Sequence, residues 1–130
     1  MTTMSPDRTA LRSLNAVAGA RQTARAFLEA LWHPAIAPEC ADSVVLVVSE
    51  LMNNALRHGG GTYTLRLTAH PGSIEVAVDD PSAEPPRMRV PDLRDGTGGF
   101  GWHMVNDLAL ATVITPRAEG GKTVRALLPR

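Results

Sequence analysis

A chain of 130 residues, 44% hydrophobic and 20% charged, has the length and apolar content of one globular domain, which excludes a wholly disordered chain. Thirteen basic residues balance thirteen acidic ones, so there is no general electrostatic case for binding nucleic acid or an anionic membrane. The one cysteine, Cys40, excludes an intramolecular disulfide and a cysteine-rich metal site and fits a reducing compartment. Residues 1–8 lack the apolar stretch of a signal peptide, and no run approaches the roughly 18 apolar residues needed to span a bilayer. The expectation is a soluble, cytoplasmic protein.

In chain order, residues 1–8 carry no periodicity and read as a disordered tail ahead of a single domain over 9–130. Residues 9–14 suggest a short edge strand. Residues 16–31 space their apolar side chains as a helix does, with Asn15 at the N-cap. After a proline-broken link, residues 39–58 form a second helix that stops at Gly59-Gly60-Gly61. Tyr63, Leu65 and Leu67 alternate, Pro71-Gly72 makes a turn, and Ile74, Val76 and Val78 alternate again, which predicts an antiparallel hairpin. Residues 81–98 hold four prolines and no usable period; a connection of that length in a compact chain reads as a lid. Residues 99–110 look helical, and residues 111–116 and 123–128 read as strands joined through Glu119-Gly120-Gly121. This order predicts an α+β fold, a two-layer sandwich whose mixed, mostly antiparallel sheet is covered on one face by about three helices.

The second helix carries the first chemical signal. At about 100° per residue, Val44, Val48, Leu51 and Ala55 define a buried face, and Glu50, Asn54 and Arg57 fall within about 60° of one another beside it. A solvated face would account for this pattern. Against that stands a double Asn, Asn53-Asn54, which costs helix propensity and sits one turn from an acid. An Asn54 amide oxygen together with phosphate oxygens would suit Mg²⁺, which keeps several waters and takes few protein ligands, leaving Glu50 to orient an attacking hydroxyl. Arg57 and His58 are equally suited to the helix C-terminus.

The second signal is an acid where a buried stripe should continue. Asp80 follows Ile74, Val76 and Val78 on the same side of its strand, directly before Pro81. If buried it needs donors, and an adenine amine would supply one; as a turn former, Asp79 would serve equally well. Gly96-Thr97-Gly98-Gly99-Phe100-Gly101 then precedes the third helix, where close backbone approach and unpaired N–H groups suit a phosphate, although a hinge loop fits the loop alone as well. The surroundings are neither those of a Rossmann site nor those of a P-loop.

Taken in order, these segments resemble the GHKL (histidine-kinase-like) ATPases, and among them the small bacterial anti-sigma-factor serine/threonine kinases. Glu50-Leu51-Met52-Asn53-Asn54-Ala55-Leu56-Arg57-His58-Gly59 is similar to the family's N box. Val78-Asp79-Asp80-Pro81-Ser82 and Gly99-Phe100-Gly101-Trp102-His103-Met104-Val105 are similar to its two glycine boxes, and Gly121-Lys122-Thr123 to its terminal Gly-Thr element. The similarity covers residues 9–128, and four motifs in order are far more specific than one. Ser82 stands where the first box often has glycine.

The resemblance implies ATP and Mg²⁺ as cofactors. It makes Glu50 the general base, Asn54 the Mg²⁺ ligand, Asp80 the acceptor for the adenine amine, Thr123 a support at the adenine end, and the Gly99 and Gly101 backbone the lining of the phosphates. It implies a kinase that phosphorylates Ser/Thr of an anti-anti-sigma (STAS-type) partner and sequesters a sigma factor, with a homodimer as its usual assembly. No dimerising coiled coil or phosphoacceptor-His helix accompanies the motifs, so a complete sensor kinase is not expected. The alternative is a nucleotide-dependent protein-binding module without significant kinase activity.

Overall fold

The computed structural model describes residues 2–4, 7–8, 14–31, 35–58, 63–82 and 101–130. They form β1 (Thr2–Met4), β2 (Asp7–Arg8), α1 (Leu14–Glu29), α2 (Pro38–His58), β3 (Tyr63–Ala69), β4 (Ser73–Asp80), α3 (Gly101–Leu108), β5 (Ala111–Pro116) and β6 (Lys122–Pro129). The sheet runs β1-β3-β4-β6-β5, with β2 also paired to β3. Every described pairing is antiparallel, so the mixed character expected from the sequence gives way to an antiparallel sheet. The α+β two-layer arrangement is as expected.

The period-2 pattern accounts for how the sheet faces. Tyr63, Leu65, Leu67 and Ala69 of β3 are buried, as are Ile74, Val76 and Val78 of β4 and Val124, Ala126 and Leu128 of β6. The register sets Leu65 opposite Val78 and Val78 opposite Val124, so these side chains share one face. Against it pack Ala16, Ala20, Ala24, Phe27 and Leu28 of α1, Val44, Val48, Leu51, Met52 and Ala55 of α2, and Val105 of α3, in one continuous core. Each fully buried large side chain, such as Phe27 or Leu51, contributes about 1.5–3 kcal/mol of transfer free energy. Pro71-Gly72 closes the β3–β4 hairpin, where the His70 N–H donates to the Ser73 carbonyl at 2.9 Å. The Thr112 hydroxyl donates to Asn106 Oδ1 at 2.9 Å, which ties α3 to the edge strand β5.

Several boundaries differ from the sequence reading. Residues 1–8 contain β1 and β2, which pair with β3, rather than a disordered tail; the outer edge of β3 carries N–H and C=O groups that a strand satisfies even when its own sequence has no apolar rhythm. Of the edge strand expected at 9–14, residues 9–13 lie outside the described residues and Leu14 begins α1. Asn15 is therefore the second residue of α1, not its N-cap. The expected lid lies outside the described residues except for Pro81 and Ser82, and α3 is described from Gly101.

Candidate functional site

Glu50 and Asn54 occupy the C-terminal half of α2, both half-buried. Their helix packs on β4, on β6 and on α3. The contact with α3 is close: a Cβ placed on Gly101 would stand 2.0 Å from Glu50 Oε2 and 2.9 Å from its Cδ. Only a residue without a side chain leaves room for this carboxylate at the first turn of α3, where the positive end of the helix dipole favours an anion. The structure thus brings together Glu50 of α2 and Gly101 of α3, two residues that the sequence reading placed in one site. Gly99 and the side chains of Arg57 and His58 lie outside the described residues.

The sheet contributes the second half of the site. Asp80, 3% exposed, ends β4 on the face that the helices cover. Its Oδ1 accepts the Ser82 N–H at 2.9 Å and the Lys122 ammonium at 2.9 Å, and the same ammonium donates to the Ser82 carbonyl at 3.2 Å. Lys122 is the cross-strand partner of Asp80 and is itself buried. Each charge would be costly alone at this depth, and their pairing is what makes both tolerable. Gly121, with φ of 85°, lies against the Asp80 carbonyl and Pro81, so the β5–β6 turn closes directly over the end of β4.

Asp79 and Thr123 lie on the other face. Asp79 Oδ1 accepts from Arg66 Nη2 at 2.7 Å and from the Thr123 hydroxyl, while Arg117 Nη1 stands 3.9 Å from Oδ2. The register sets Asp79 opposite Thr123 and Asp80 opposite Lys122. The Thr123 hydroxyl is therefore directed to Asp79, one step of strand alternation away from Asp80 and on the opposite face of the sheet. Lys122 is the residue that the sequence reading passed over. Counting back by two from the inward Val124 reaches it.

Among the described residues no group of three His, Cys, Asp or Glu gathers to hold a metal ion, and no helix is long and apolar enough to cross a membrane. The sequence matches the histidine kinase-like ATPase domain family over residues 12–128. The chain belongs to this family.

As a histidine kinase-like ATPase domain it is an ATP-binding protein, and its fold recurs in solved structures of low sequence identity. One contains the RsbU and RsbW domains of Rv1364c from Mycobacterium tuberculosis, with a TM-score of 0.67 and 19% identity over 98% of this chain. The present chain spans 33% of that protein's length. Another is the SiaB-SiaC complex from Pseudomonas aeruginosa, with a TM-score of 0.70 and 12% identity, covering 96% of this chain and 88% of that one. No curated protein matches the chain in sequence. Asp80 is a buried acceptor with no described donor on Oδ2, which suits the exocyclic amine of an adenine base.

Proposed function

We propose that this ATPase domain is a Mg²⁺-dependent protein serine/threonine kinase that acts as an anti-sigma factor. It phosphorylates Ser or Thr of a STAS-type anti-anti-sigma partner and sequesters a sigma factor in the cytoplasm. The observation that carries the reading is the placement of Asp80, buried at the end of β4 on the face covered by α2, the helix that bears Glu50 and Asn54. The fold shared with a structure containing an RsbW domain supports it. That SiaB was solved in complex with SiaC supports a protein partner.

In this reading Asp80 accepts the adenine amine, the Gly99 and Gly101 backbone lines the phosphates, and Asn54 is the protein ligand of Mg²⁺. The metal would neutralise phosphate charge when bound. Glu50 takes the proton of the attacking serine or threonine hydroxyl as its oxygen bonds to the γ-phosphorus and the bond to the ADP oxygen breaks. In such a transfer most of the acceleration comes from positioning and charge neutralisation, so few side chains are needed. The experiment is incubation with radiolabelled ATP, Mg²⁺ and candidate STAS-domain proteins, followed by phosphoamino-acid analysis. Label on serine or threonine of one partner supports the kinase. ATP binding with no label on any partner leaves a nucleotide-dependent binding module.

A further inference from the structure

Lysine is among the residues least often buried, yet Lys122 is 4% exposed and its ammonium is only partly used. Of its three hydrogens, one goes to Asp80 Oδ1 at 2.9 Å and one to the Ser82 carbonyl at 3.2 Å. Asp80 is used in a complementary way: Oδ1 takes both Lys122 and the Ser82 N–H, while no described residue donates to Oδ2. Among the described residues the pair therefore leaves one N–H of the ammonium and one carboxylate oxygen without a partner, within a single buried unit. A carboxylate tied at one oxygen by two donors is also fixed in orientation.

A 6-aminopurine carries the complement of that unit, an N6–H donor beside the N1 acceptor. We infer that Lys122 is a base-specificity residue of the nucleotide site, donating to purine N1 while Asp80 Oδ2 accepts from N6–H. This rests on the placement of the base at Asp80. A 6-oxopurine seated in the same way reverses both contacts: its O6 meets Oδ2, acceptor against acceptor, and its N1–H meets the ammonium, donor against donor. A carboxylate with both oxygens free would instead suit guanine, whose N1–H and N2–H it can accept as a pair. By holding Oδ1, Lys122 removes that option. The terminal Gly121-Lys122-Thr123 element thus contributes to nucleotide choice through its lysine, on the inner face, while its threonine braces the outer face.

The test uses the whole domain and a calorimetric readout of binding. The wild-type protein is titrated with ATP, with 1-deaza-ATP, in which N1 is replaced by C–H, and with GTP. Loss of a hydrogen bond to a charged donor should weaken 1-deaza-ATP relative to ATP by about 10-fold to 100-fold, and GTP should bind more weakly than ATP. In Lys122→Met the difference between ATP and 1-deaza-ATP should vanish and GTP should gain on ATP. Lys122→Gln, which keeps a donor, should restore part of the preference for ATP. Lys122→Met strands a buried carboxylate, so circular dichroism checks its fold, and the analogue comparison on the wild-type protein needs no substitution. Equal affinity of the wild-type protein for ATP and 1-deaza-ATP overturns the role of Lys122 and leaves the nucleotide site standing. Failure of the wild-type protein to bind any of the three overturns the site assignment as well.

Discussion

Gly121 approaches Asp80 so closely that a Cβ on it would lie 2.3 Å from the Asp80 carbonyl oxygen and 2.8 Å from Pro81 Cα. Both obstacles are backbone, and the φ of 85° is one that side chains disfavour. Its neighbour Gly120 has a similar φ of 88° with open space around it. The two glycines therefore separate conformational strain from collision.

Gly120→Ala should cost about 1–2 kcal/mol, the left-handed penalty alone. Gly121→Ala adds a clash that no rotamer change relieves and should cost about 2–5 kcal/mol. Because the displaced backbone carries Asp80 and Pro81, Gly121→Ala should also weaken ATP binding, and Gly120→Ala should not. Urea denaturation and ATP titration of both variants check this, and equal destabilisation would show that the β5–β6 turn yields freely.

The two adjacent acids should separate in the same way. Asp79 joins β3, β4 and β6 on the outer face through Arg66 and Thr123, so Asp79→Asn should cost about 1–3 kcal/mol of stability and leave ATP affinity within a few fold. Asp80→Asn should weaken ATP binding by at least about 10-fold, beyond any loss of stability from leaving Lys122 without its counter-charge. Calorimetric titration of the folded variants reads the difference. An Asp79→Asn protein as impaired in binding as Asp80→Asn would undo the assignment of the two faces.

How far the sequence anticipates this arrangement depends on whether a feature is local. The helical spacing of Val44, Val48, Leu51 and Ala55 and the alternation of Ile74, Val76 and Val78 come from burial on one face, so α2, the hairpin and the inward side of Asp80 are all legible. β1 and β2 are not, because an edge strand is held by pairing with β3 from a distant part of the chain and carries no apolar rhythm of its own. The outward side of Thr123 is not legible from its motif, because a motif does not state which face of a strand a residue takes. One step of alternation exchanges the inner face for the outer. The burial of Lys122 is not legible because lysine in a strand ordinarily reads as a solvated side chain, and only its partner across the strand pair, Asp80, reveals it.

At the junction of α2 and α3 the obstacle is different in kind. The atoms that a Cβ on Gly101 would meet are the tip of the Glu50 side chain, which can rotate away. Gly101→Ala should therefore change stability by less than about 1 kcal/mol, yet move the carboxylate from the start of α3. The expected result is a protein with a nearly unchanged melting temperature and a transfer rate reduced by about tenfold or more. Melting and single-turnover phosphorylation test it together; a wild-type rate in this variant would mean that the position of Glu50 against α3 is immaterial to transfer.

Binding and chemistry should separate on one helix. Glu50 and Asn54 lie one turn apart on α2, but the proposed roles differ. A metal ligand acts on the bound nucleotide before any bond changes, so Asn54→Ala should reduce Mg²⁺-dependent ATP affinity and transfer together. A group that only orients or deprotonates the attacking hydroxyl contributes little to ground-state binding. Glu50→Ala should therefore keep ATP affinity within a few fold while transfer to the partner falls by about 10²–10⁴. Glu50→Gln sharpens the test, because it keeps the volume against Gly101 and removes the base. If Glu50→Gln transfers at the wild-type rate while Glu50→Ala does not, the side chain serves packing against α3 and not proton removal. If Asn54→Ala binds ATP equally well with and without Mg²⁺ at wild-type affinity, the metal is held elsewhere. The measurements are ATP titrations with and without Mg²⁺ and single-turnover phosphorylation for all three variants.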